Sequence, residues 1–256
     1  MGKTTERKLK DLRQQYINLG IATTIDFIKF TTMSIVHHST KIEGCTLDEL
    51  DTQILLEDGL TAKGKPLLDH LMMEDNYKAF KHARYWAGYK GKVTKDFIQE
   101  LGAMVMYRTG GIVKTPMGAY DTSIGDLRRS AVRTDSRYFP DWTKVPKLLA
   151  SMCAFVNSQL DEVQGMETLR LATELHYMFV DIHPFGDGNG RVGRILMNYV
   201  QMYHGEPSVK IFAEDRKEYI AALQESDTES CEPLYAFIVE QQIKFLSAEI
   251  EKFEAQ

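Results

Sequence analysis

The chain has 256 residues, 43% hydrophobic and 26% charged, the make-up of an ordinary globular protein. Its 31 basic and 36 acidic side chains leave a net charge of −5, which disfavours a general nucleic-acid or anionic-membrane binder. Cys45, Cys153 and Cys231 are odd in number and form no Cys-x-x-Cys pair, so neither a disulfide framework nor a structural zinc site is indicated. The charged opening, MGKTTERKLKDLRQQYINLG, lacks a signal-peptide core, and no apolar run approaches the roughly 18 residues of a membrane span. A reducing, cytoplasmic setting is the expectation.

Helical periodicity dominates the pattern. Residues 5–19 are polar and charged with scattered apolar positions. Residues 24–43 carry Ile25, Phe27, Ile28, Phe30, Met33 and Ile35, a helix at least half buried, and Gly44 suits the left-handed position past its end. Thr46 and Glu49 are spaced as a capping box for a helix over 47–58. Gly59 to Pro66 reads as a turn, 67–89 as a long helix, and Thr94 is placed to cap another at 95–107. Residues 108–140 change character: six glycines and prolines and the arginines 128, 129, 133 and 137 predict loop, with a short hairpin where Ser130 to Arg137 alternates. Helical spacing resumes at 143–158 and 167–181, Pro207 ends the helix that follows, and stretches at 214–225 and 232–254 complete the pattern. With no repeat or linker, one predominantly helical domain is the economical reading.

The run His183-Pro184-Phe185-Gly186-Asp187-Gly188-Asn189-Gly190-Arg191-Val192-Gly193-Arg194 is the most informative stretch. A helix over Glu167–Val180 delivers His183 at its end, and Pro184 prevents continuation. A histidine there can titrate near neutral pH and take up a proton, or it can simply satisfy a helix-end carbonyl. Phe185 reads as a core anchor. Gly186, Gly188, Asn189 and Gly190 let backbone N–H groups approach phosphates closely at the start of the next helix. Asp187 either caps that helix or offers one carboxylate to a metal. Arg191 and Arg194, three apart, are suited to phosphate oxygens.

This order of residues resembles the Fic family signature, H-x-F-x-(D/E)-G-N-G-R-x-x-R, at every fixed position. The resemblance implies an all-α, mainly helical Fic fold with a short β-hairpin flap, residues 1–60 forming an N-terminal helical region and 61–256 the core, packed as one unit. It further implies a protein adenylyltransferase that moves AMP from ATP, with Mg²⁺, onto a Ser, Thr or Tyr hydroxyl of a target protein or of itself. His183 is then the base, Asp187 the metal ligand, and Arg194 the γ-phosphate contact. Ser39-Thr40-Lys41-Ile42-Glu43-Gly44 resembles the family's inhibitory pattern (S/T)-x-x-x-E-(G/N), in which the glutamate pairs with the second arginine, here Arg194. Ser39 and Glu43 are thus the implied regulatory residues.

Two weaker resemblances follow. Gly125-Asp-Leu-Arg-Arg-Ser-Ala-Val132 is similar to the G-x-Y-R segment before the flap, with Leu127 in place of the aromatic residue; Thr134, Asp135, Ser136 and Arg137 would then lie over the nucleotide. Glu214–Leu223 resembles the segment around the adenine pocket, where Tyr219 is the candidate and Asp227 stands where relatives often have Asn. Alternatives remain open: another nucleotide donor, removal of AMP, or a non-catalytic nucleotide-binding module. Doc-type phosphotransferases carry lysine where Gly190 stands, which disfavours that branch. A homodimer is compatible with the resemblance, and no interface can be read from the chain.

Overall fold

The computed structural model describes residues 3–133, 137–227 and 229–255. Among the described residues ten α-helices run in the order α1 Lys3–Asn18, α2 Ile25–Ile42, α3 Glu49–Asp58, α4 Leu67–Gly88, α5 Lys95–Val105, α6 Val145–Gln159, α7 Met166–Ile182, α8 Asn189–His204, α9 Arg216–Glu225 and α10 Glu232–Glu254. Most spans match the periodicity. Thr94 caps α5 as expected, its hydroxyl accepting from Phe97 N at 3.1 Å. The capping box of α3 is instead Asp48 with Asp51. Thr46 is drawn away because its amide and hydroxyl both donate to Asp69 Oδ2, at 2.7 and 2.5 Å.

Helices α7 and α8 are packed against each other at the centre. Leu169, Ala172, Leu175 and Phe179 recur on α7 at three- and four-residue intervals, and α8 buries Val192, Ile195, Leu196 and Tyr199. Around this pair, α4 and α5 contact α8, α6 contacts α7, and α1 contacts α10. The long α2 packs on α4 and reaches α8, which brings residues near 39–43 to the start of α8. Among the described residues no helix is long and apolar enough to cross a membrane.

The segment read as loop holds an antiparallel hairpin, β1 Ile112–Thr115 with β2 Gly118–Asp121, registered Ile112 to Asp121 and Thr115 to Gly118. Neither strand is buried enough to alternate, so no period-two signal marks it. Gly118 holds φ +112 at the turn. At the hairpin expected over 130–137, Arg133 pairs with Tyr138 as an isolated antiparallel bridge, and Phe139 N donates to Val132 O at 3.3 Å. Thr134, Asp135 and Ser136 lie outside the described residues.

Candidate active site

The site is built on the turn between α7 and α8. His183 closes α7 in the left-handed conformation, φ 49 and ψ 61, with its N–H still donating to Phe179 O at 3.0 Å. Asn189 ties the turn together: Oδ1 accepts from Phe185 N at 3.0 Å and Nδ2 donates to Phe185 O at 2.9 Å. Its side chain is therefore occupied within the turn, and only its backbone N–H is offered outward. Phe185 is buried as an anchor, and a Cβ on Gly102 of α5 would stand 2.6 Å from its ring. Gly188 is the left-handed N-cap of α8, so Asp187 is not the cap. The first-turn amides of α8 have no intrahelical acceptors, which makes this end suited to an anion.

Asp187 is 70% exposed, and its Oδ1 accepts from Gly188 N at 2.5 Å. Arg191 approaches it at 3.7 Å but is itself buried, directed towards Val105 O at 3.3 Å and Met106 Sδ at 3.1 Å. The two arginines thus diverge: Arg191 runs beneath the turn to the end of α5, and Arg194 turns towards α2. His183 stacks on Phe139, ring centres 4.0 Å apart and planes at 24°. Burial pushes the imidazole down to about 4; the Val180 carbonyl raises it, the Arg128 charge lowers it further, and Asp187 and Glu43 offset only part. At neutral pH the ring is uncharged and can accept a proton.

Arg128, which the sequence marked only through a family segment, fastens this histidine. Only 1% exposed, it donates from Nε to His183 O at 2.7 Å, from Nη1 to Ser130 O at 2.6 Å and from Nη2 to Pro140 O at 2.6 Å. Its backbone N–H adds a bond to Pro184 O at 2.9 Å. One guanidinium thereby joins the end of α7 to both sides of the hairpin that carries Phe139. It also places a positive charge where the helix carbonyls point.

Glu43 and Arg194 meet, as expected from the sequence. Arg194 Nη2 donates to Glu43 Oε1 at 2.6 Å and to Ser39 O at 2.8 Å, and its Nε donates to Ser39 Oγ at 2.9 Å. Burial works against the Glu43 carboxylate, but the charge and hydrogen bond of Arg194 outweigh it and hold the carboxyl below its usual value. The carboxylate rests on Gly190: a Cβ there would collide with Glu43 Oε1 and lie 3.0 Å from Arg194 Nη1. Glu43 therefore covers the amide-rich start of α8 and occupies the second arginine.

Two expected nucleotide contacts fall elsewhere. Tyr219 is 2% exposed and lies under Arg194, its hydroxyl 2.7 Å from His176 Nε2, so its ring does not line an open adenine pocket. The similarity of the segment points to an adenine contact, whereas the helix phase of α9 turns this position inwards. Arg137 pairs with Asp181 and donates to Tyr177 OH at 2.8 Å, so it is held by protein groups at the rim.

The turn between the two central helices thus brings together an imidazole, an exposed carboxylate and the first-turn amides of α8. Residues 92–201 match the model of the Fic/DOC family. Over 240 residues the chain is 27% identical to protein adenylyltransferase fic-1 of Caenorhabditis briggsae, covering 91% of this chain and 44% of that one. It is 29% identical over 205 residues to protein adenylyltransferase Fic of Drosophila erecta, covering 80% and 39%. The chain thus spans less than half the length of these curated relatives. A Fic domain-containing signalling protein from Bacteroides thetaiotaomicron shares the fold, with TM-score 0.82 at 22% identity over 97% of each chain.

Proposed function

We propose that this chain transfers AMP from ATP to a hydroxyl side chain of a protein, and that Glu43 restrains the reaction. The observation that carries the reading is one turn in which His183, stacked on Phe139 at the end of α7, is followed by the exposed Asp187 and the amide-rich start of α8. The similarity to proteins named adenylyltransferases supports the choice of donor.

In this scheme a target hydroxyl approaches the α-phosphate in line. As its oxygen bonds to phosphorus, its proton passes to His183, the bond to the bridging oxygen breaks, and pyrophosphate leaves. A base as weak as His183 takes the proton only once bond formation has made the hydroxyl acidic. The first-turn amides of α8 and the charge of Arg194 stabilise the phosphates, so the protein contributes mainly positioning and electrostatics. Asp187 is the residue that would hold magnesium, an ion that offsets phosphate charge when bound. An ion of this kind is commonly held by one carboxylate together with phosphate oxygens.

Glu43 opposes this because a terminal phosphate and a carboxylate compete for the same guanidinium donors. The test is incubation of Glu43→Gly protein with Mg²⁺ and ATP labelled on the α- or the γ-phosphate. Label from the α-phosphate, stronger than for the wild type and lost when His183→Ala is added, is expected on the chain or on a supplied protein. Label from the γ-phosphate alone, or none from any nucleotide, overturns the transferase reading; equal labelling of wild type and Glu43→Gly overturns the restraint.

A further inference from the structure

Beneath Arg194 lies a buried polar pair that the transfer chemistry above does not use. His176 of α7 is 0% exposed, and Tyr219 of α9 covers it, the rings 5.9 Å apart with planes at 17°. The Arg194 guanidinium carbon is 6.0 Å from the Tyr219 ring centre, so the phenol lies beside the guanidinium that Glu43 and Ser39 hold. We propose that Tyr219, oriented by His176, is the positioning residue that keeps Arg194 aimed at the terminal phosphate of the nucleotide once Ser39 and Glu43 withdraw. The inference rests on the reading that Arg194 binds that phosphate.

Ser39 Oγ, Ser39 O and Glu43 Oε1 all belong to α2 or its C-cap, so any movement of α2 that frees the site removes three hydrogen bonds together. The guanidinium is 5% exposed and has no acceptor capacity of its own, so a buried partner must remain or the side chain reorients. Tyr219 is on a different element, α9, which packs on α10 and meets α2 through Arg216 Nε donating to Ile42 O at 2.8 Å.

The proton pattern gives this contact a direction. A guanidinium only donates, so towards Arg194 the Tyr219 oxygen can serve only as acceptor, which leaves the phenol proton for another partner. His176 Nε2, 2.7 Å away, is the acceptor, and it must be bare. Burial, reinforced by the Arg194 charge, pushes His176 down to about 3, so the imidazole is neutral with its proton on Nδ1. Nδ1 is buried against the Gly193 backbone, where an added Cβ would come within 2.9 Å of it. Gly193, between the two motif arginines, makes room for the ring at the depth where it can orient Tyr219.

Binding of ATP and ADP, measured by calorimetry, tests the proposal. The background is Glu43→Gly/His183→Ala, which frees Arg194 and stops turnover. Tyr219→Phe keeps the ring and removes only the oxygen; it is expected to weaken ATP by about tenfold, the scale of one hydrogen bond to a charged group, and ADP by less than about twofold. Arg194→Gln is the control. If it fails to separate ATP from ADP, the terminal-phosphate reading is wrong whatever Tyr219 does. If it separates them and Tyr219→Phe does not, or weakens both equally, the positioning role is overturned. His176→Gln restores an acceptor near Nε2 and is expected to retain ATP affinity, whereas His176→Leu is expected to lose it. Equal behaviour of these two variants, with both folded by thermal melting, also refutes the role.

Discussion

Replacing Arg128 by lysine tests how the hairpin is tied to His183. The charge stays, but a lysine ammonium reaching into the same place bonds one of the three carbonyls that Arg128 holds at 2.6–2.7 Å, those of Ser130, Pro140 and His183. Two are left without their donor. Each costs about 1–3 kcal/mol if it stays dry, and the hairpin edge admits some water, so a loss of about 3 kcal/mol is expected. For a chain of this size that lowers the melting temperature by roughly 6–12 °C. Function suffers separately: Phe139 no longer fixes the His183 ring, and a displacement of about 1 Å in a reacting group costs on the order of a hundredfold in rate. Urea titration gives the stability, and the initial rate of α-phosphate labelling in the Glu43→Gly background gives the rate. A lysine variant within about 0.5 kcal/mol of its parent would show that the three bonds are not cooperative. A destabilised variant with an unchanged rate would show that the hairpin does not position His183.

Two further tests follow. Gly190→Ala places a methyl where Glu43 Oε1 sits; it is expected to destabilise the wild type by about 1–3 kcal/mol. In the Glu43→Gly background the same change is expected to be neutral or slightly stabilising, since alanine is the better helix former. A double-mutant cycle measures the difference, and a coupling under about 0.5 kcal/mol contradicts the docked pose. Stability is also expected to fall on acidification: His37 and His183 are pushed by burial to about 4 and His176 to about 3. Below pH 6.5 the unfolded chain binds protons that the folded chain refuses, so stability is full above that pH and declines between pH 6.5 and about 4. Each histidine adds up to about 1.4 kcal/mol per pH unit to the slope. Urea midpoints at pH 7.5, 6 and 5 check this, and a flat profile refutes the buried neutral state of these rings.

Helix spans were legible because each rests on neighbours three and four positions apart, with local punctuation such as Thr94 and Gly59. The turn from His183 to Asn189 was legible for the same reason: its base, carboxylate and amides are contiguous, so chain order alone brings them together. The β1–β2 hairpin was hidden because strands of four residues with little burial carry no alternation. The expected cap at Thr46 failed because Asp69, 23 positions away, outcompeted the helix start for its hydroxyl.

What the sequence determined by itself is therefore the set of helices and the chemistry carried by one short turn. Tertiary structure alone decided the directions of side chains whose partners are remote in the chain. Arg194 faces Glu43, 151 positions earlier, while Arg191 dives to the end of α5; Tyr219 turns inward to a histidine 43 positions away. A guanidinium or a phenol can be satisfied by many acceptors, and only the packing of α2, α7, α8 and α9 settles which one lies within hydrogen-bond reach.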